Sequence, residues 1–117
     1  YSNEVKNKTL PVKEETLKNF GAVSEQTAEE MAANVRQILN TNIGVSVTGI
    51  AGPGGGTAEK PVGTVYIGIS GADGNKIQKF NFSGTRTEIK EKTVESALKI
   101  IQDYLTKKND LEMKINA

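Results

Sequence analysis

Apolar residues recur at helical spacing in the first third of this chain, at alternate positions in its middle, and at helical spacing again towards the end. That order predicts helices, then strands, then a helix. Val12 to Phe20 fits a short helix with Leu17 and Phe20 inward, and Gly21 stands where a left-handed cap ends it. Ser24 then reads as an N-cap, with Glu25 in the first turn, and the helix it starts runs to about Leu39. Within it Ala28, Met31, Ala32, Val35 and Ile38 follow the i, i+3, i+4, i+7 rule, while Glu29, Glu30, Arg36 and Gln37 take the other side. Ile43, Val45 and Val47 alternate with Gly44, Ser46 and Thr48, a strand with one greasy face and one face small enough for a helix or ligand to come close. Val62 to Ile69 alternates in the same way. Asp73-Gly74 then signals a tight turn, and Lys76 to Phe82 is the return strand, its Lys76, Lys79 and Asn81 suited to an edge. Thr85-x-x-Glu88 is a capping box for a last helix whose stripe is Val94, Ala97, Leu98, Ile101 and Leu105. From Lys107 the polar run and the tail to Ala117 read as frayed or as an oligomer contact. The whole is an α/β pattern, residues 1–106 forming the domain and 107–117 a tail.

Between the first two strands lies Thr48 to Gly63, which holds Gly49, Gly52, Gly54, Gly55, Gly56 and Gly63 of the chain's 12 glycines. Glycine lets main-chain N–H groups approach a bound group, and successive N–H groups in such turns form anion cradles. The plain alternative is a long, poorly ordered connection. Pro53 and Pro61 fix φ on either side of the glycines and favour a shaped loop. Neither G-x-G-x-x-G nor the Walker spacing can be laid over it.

Composition narrows the chemistry. With 117 residues the chain is one domain at most, and 15 basic against 14 acidic residues give nothing that points to nucleic acid or a charged membrane surface. A small molecule or another protein is the better partner. There is no cysteine and no histidine, so disulfides, thiolate catalysis and imidazole acid–base work are all excluded. Proton transfer would fall to a lysine, a carboxylate, a tyrosine or a hydroxyl. No apolar run is long enough to span a bilayer and no signal peptide is visible, so a cytoplasmic location is expected. The chain opens on Tyr1 without a methionine and reads as the later part of an alternating pattern, which suggests a fragment.

Few side chains invite a chemical role. Arg86 takes the first position of the last helix, where a cation opposes the macrodipole; it either serves an anion site or pairs with Glu88 or Glu91 in solvent. Lys6 is a surface lysine unless burial or a neighbouring cation lowers its pKa enough to make it a base. Thr48 ends a buried strand at the mouth of the glycine loop, to hold a ligand or to cap the turn. Glu59 and Lys60 read as loop charges, and no metal-ligand spacing is visible.

Tyr1 to Lys6, Gly21-Ala22-Val23-Ser24-Glu25, Val47 to Gly56 followed by Lys60 to Val65, and Phe82-Ser83-Gly84-Thr85-Arg86 occur in one order along the chain. In that order they resemble the CinA C-terminal domain family. The resemblance implies a three-layer α/β/α sandwich with a mixed sheet, without the family's N-terminal strand and helix. It also implies nicotinamide mononucleotide amidohydrolysis, giving nicotinate mononucleotide and ammonia with no cofactor and no metal. Lys6 would be the base of a serine–lysine pair and Tyr1 a nearby hydroxyl. Thr48, Gly49, Ala51, Gly52, Gly54, Gly55 and Gly56 would line the nucleotide pocket, and Arg86 would hold the substrate's anionic group. The expected partners are that nucleotide and a second copy in a homodimer, with neither nucleic acid nor membrane. The family's nucleophile sits in Ser-x-Thr-Gly-Gly, and these 117 residues contain no such motif. The chain alone is then catalytically incomplete, or it is a nucleotide-binding or assembly module.

Overall fold

The computed structural model describes residues 12–116, with side chains described as far as Lys107. Helix α1 spans Glu14–Phe20 and α2 spans Glu25–Leu39. Strands β1 (Gly44–Gly49), β2 (Thr64–Gly71) and β3 (Gly74–Asn81) follow, and α3 spans Arg86–Asn116. The order across the sheet is β1-β2-β3, with both pairings antiparallel. The parallel pairings of a mixed sheet are not among the described residues. The α/β class and the layering are as expected: α1 and α2 lie on one face of the sheet and α3 on the other.

Each layer is set by local chemistry. The amide of Gly21 closes α1 on the carbonyl of Leu17, and Gly21 takes a positive φ of 80° that favours glycine. The Ser24 hydroxyl accepts from the amide of Thr27 and so caps α2. Glu30 is not simply a solvent-side residue: it accepts from the amide of Lys13 and the hydroxyl of Thr16, and so satisfies the start of α1. Ala28, Met31 and Ala32 are buried as their spacing requires. Phe20 and Ile38 are not, being 46% and 58% exposed. Ile38 lies beyond the last turn that packs on the sheet, which ends where Gly44 meets Ala32 and Arg36.

The face of the sheet under α2 is the small one. A Cβ on Gly44 would stand 2.2 Å from the Ala32 carbonyl, and one on Gly68 would stand 2.9 Å from that of Ala28. Ser46 Oγ donates to the Ala28 carbonyl at 2.6 Å, tying strand to helix. The opposite face carries Val65 and Ile67, buried with Ile89 of α3 and flanked by Val45, Phe80, Ala97 and Ile100. A smaller cluster of Val12, Leu17 and Met31 joins α1 to α2.

Three expectations shift. The β2–β3 turn is made by Ala72 and Asp73, since Gly71 pairs with Gly74, which places it one residue earlier than the Asp73-Gly74 signal. Helix α3 continues past Lys107 to Asn116, through the run read as a frayed tail. Its inward line is also different: Ile89 is buried, whereas Val94, Leu98 and Leu105 are exposed. No helix among the described residues is long and apolar enough to cross a membrane.

Candidate functional site

The glycine loop, residues 50–63, leaves the end of β1 and returns into its neighbour β2, so both ends are held by sheet register. It is a shaped loop. Ile50 donates to Thr64 at 2.9 Å and Gly63 donates back to Ile50 at 2.7 Å, closing the base. Thr57 donates to the Lys60 carbonyl, and the Lys60 amide donates to Thr57 Oγ1, which closes a turn within the arm. Gly52 has φ 82°, and a Cβ there would lie 2.6 Å from Val62, so both backbone and packing require glycine. Gly54 is different: a Cβ would meet nothing within 4 Å. Packing does not ask for glycine at that tip, whereas an approaching ligand would. The amides of Gly54, Gly55 and Gly56 have no main-chain partner among the described residues.

Three side chains tie this loop and its base to other elements of the fold. Thr48 is buried, and its hydroxyl donates to the Ala22 carbonyl at 2.6 Å. With its proton engaged there, Thr48 Oγ1 can act towards any further group as an acceptor only. Arg86, the first residue of α3, donates through Nη1 to the Gly52 carbonyl at 2.8 Å. A guanidinium has five N–H donors, so one contact orients it without exhausting it. Lys60 Nζ donates to the carbonyls of Phe20, at 3.0 Å, and Val23. That ammonium ties the outer arm of the loop to the turn between α1 and α2 with two charge-assisted bonds.

Arg86 does not need Glu88 for charge pairing. Glu88 closes the capping box instead: its Oε1 accepts from the Thr85 amide at 2.9 Å, and its own amide donates to Thr85 Oγ1 at 3.2 Å. The main-chain bond from Thr85, helped by the Thr85 hydroxyl and by Lys92, holds the Glu88 carboxyl below its usual value of 4.5.

The sequence-derived set thus divides. Thr48, Gly49, Ala51, Gly52, Gly54, Gly55, Gly56 and Arg86 are gathered at one end of the sheet. Tyr1 and Lys6 lie outside the described residues. In sequence Lys60 is a loop charge, and its bracing role emerges only in three dimensions, because its partners lie 37 and 40 residues away. Among the described residues no group of three acidic side chains stands together to hold a metal ion.

Comparison with known proteins places this geometry. The sequence model of the CinA C-terminal domain matches residues 1–105. The chain belongs to the CinA C-terminal domain family. A CinA-like protein of Endomicrobium trichonymphae is 53% identical over 109 residues, which is 93% of this chain and 26% of that protein. The crystal structure of competence/damage inducible protein CihA from Agrobacterium tumefaciens superposes with a TM-score of 0.84 at 44% identity, over 88% of this chain and 64% of that one. A CinA superfamily protein from Enterobacter cloacae gives 0.84 at 35% identity, over 90% and 62%. The chain therefore spans about a quarter of the length of the curated relatives it matches, and under two thirds of these solved CinA proteins.

Proposed function

We propose that this CinA domain forms the substrate-holding part of a nicotinamide-nucleotide amidohydrolase, which converts nicotinamide mononucleotide and water into nicotinate mononucleotide and ammonia. The observation that carries the reading is the 2.8 Å bond from Arg86 to the Gly52 carbonyl, which holds the start of α3 against the open glycine loop.

Hydrolysis of an unstrained amide needs a nucleophile, a base that is neutral near pH 7, donors for the tetrahedral oxyanion, and an anchor away from the reacting bond. The anchor falls to Arg86 and the start of α3, where helix dipole and guanidinium both favour the nucleotide's phosphate. The amides at Gly54, Gly55 and Gly56 supply donors. Thr48 would line the pocket, as the family resemblance implies, and with its proton given to Ala22 its Oγ1 would accept from the N–H of the carboxamide. Lys6 takes the base role and Tyr1 stands beside it, as the family resemblance implies. The Ser-x-Thr-Gly-Gly motif that carries the family's nucleophile does not occur in these 117 residues.

A second reading follows from that absence: without a serine nucleophile, the same loop and Arg86 serve a domain that binds a nucleotide and does not turn it over. Ammonia release from nicotinamide mononucleotide separates the two, measured on this chain and on a form extended upstream through a Ser-x-Thr-Gly-Gly motif. Activity in the extended form alone supports the amidohydrolase, and Lys6→Ala in that form should abolish turnover while nucleotide still binds. Activity in neither form, with nucleotide bound by both, leaves the binding domain.

A further inference from the structure

In an antiparallel pair, residues directly opposite one another project from the same face. Val65 stands opposite Phe80, Ile67 opposite Gln78 and Ile69 opposite Lys76. The face of the sheet turned to α3 is therefore apolar where Phe80 joins Val65 and Ile89, and becomes polar on β3 towards the β2–β3 turn. Lys76 and Gln78 have no hydrogen-bond or ion-pair partner among the described residues. A charge on an edge strand discourages further pairing, which accounts for Lys76. It does not account for the neutral Gln78. Lys79, on the other face, is already engaged, with Nζ 5.8 Å from the centre of the Tyr66 ring.

These two side chains stand at a cavity of about 480 Å³ between β2, β3 and α3, within the size range of small-molecule sites. Its floor is Ile67 and Ile69, and its helix wall is Ile100 and the ring of Tyr104. The Tyr104 ring is held in place, because its hydroxyl donates to Asp73 Oδ1 at 3.0 Å. That hydroxyl also occupies the space over Gly71, where a Cβ would come within 1.9 Å of it. Asp103 and Lys107, one turn apart on α3, complete the lining. Both are exposed, and neither is ion-paired among the described residues. The cavity thus has an apolar interior and a rim of two ammonium groups, one carboxylate and one carboxamide.

We infer that this cavity is a ligand site distinct from the glycine loop, and that it takes a free α-amino acid with a large apolar side chain. Lys76 and Lys107 suit the ligand's carboxylate, Asp103 its ammonium, and the isoleucines and the Tyr104 ring its side chain. A simple anion would leave Asp103 facing a like charge, and a simple cation would meet two ammonium groups. A zwitterion with an apolar body satisfies the whole rim. The cavity lies at the Ile69 end of β2, whereas the glycine loop enters that strand at Thr64, so the inference does not depend on amide hydrolysis.

The test titrates L-phenylalanine into the full 117-residue chain by calorimetry, with amide shifts followed by NMR. One-to-one binding with a Kd of about 1 mM or tighter is expected, with the largest shifts at Ile67, Ile69 and Ile100. Removing either charge from the ligand, with 3-phenylpropanoate or 2-phenylethylamine, should weaken binding at least about tenfold. Lys76→Gln and Asp103→Asn should each do the same. Both residues are exposed, so the circular dichroism of the free variants should match that of the parent. Arg86→Gln, at the glycine loop, should bind phenylalanine unchanged. Three results overturn the inference: no binding at about 10 mM ligand, 3-phenylpropanoate bound as tightly as phenylalanine, or binding that survives both Lys76→Gln and Asp103→Asn.

Discussion

The two faces of the sheet are finished to different degrees, in the reverse of the order their hydrophobicity suggests. The face made of Gly44, Ser46, Thr48 and Gly68 is the sealed one, with α2 packed so close that its carbonyls receive hydroxyl bonds from Ser46 and its backbone leaves no room for a Cβ at Gly44. The face made of valines and isoleucines is sealed only under β2 and left open at Val47. Small side chains buy proximity: they allow main chain to approach main chain, and the buried hydroxyls of Ser46 and Thr48 then find carbonyls. Large apolar side chains hold a helix further off and need a second neighbour to complete the seal.

The sharpest way to break this contrast is Gly44→Val. Valine suits strands, yet its Cβ would meet the Ala32 carbonyl and Arg36, so α2 must lift. The expected loss is about 3 kcal/mol, read from the urea midpoint. A loss below about 1 kcal/mol would show that α2 is not packed this tightly. Next in size are Ser46→Ala and Thr48→Val, each of which removes one buried hydroxyl bond to the α2 layer. About 1 kcal/mol is expected for each, with Thr48→Ser retaining most of the stability.

On the open face, α3 depends more on its own ends, and pH tests this. The Glu88 carboxyl is lowered in the folded state, chiefly by the Thr85 main-chain bond. Its contribution is therefore present above the unfolded carboxylate value and is lost as pH falls through the lower, folded value. Thermal unfolding followed downward from pH 5 should show a slope that Glu88→Gln reduces; an unchanged slope would mean the cap contributes nothing. The smallest effect belongs to Val47→Ala in this chain alone, at about 0.5 kcal/mol or less, because the residue is already 38% exposed.

What could be read from the sequence is what neighbours in sequence determine. The Ser24 cap, the Thr85–Glu88 box, the Gly21 stop and the edge character of Lys76 and Lys79 each depend on residues a few positions apart. Two apolar lines run along α3, and periodicity alone cannot say which meets the sheet: of the stripe the spacing predicts, Ala97 packs there while Val94, Leu98 and Leu105 are exposed, and Ile89 falls outside it. In the site, the loop and the position of Arg86 were legible. Its bond to Gly52, the Thr48 bond to Ala22 and the Lys60 brace were not, since each spans more than twenty residues and depends on the finished packing.

The Lys60 brace bears on portability. The glycine hairpin looks like a cassette, with two strands and a preformed tip, that one would lift onto another sheet. Its arm, however, is held by the carbonyls of Phe20 and Val23, which belong to a different layer. Grafted without the turn between α1 and α2, the hairpin keeps its register but loses its external anchor. The transferable unit is the hairpin together with that turn.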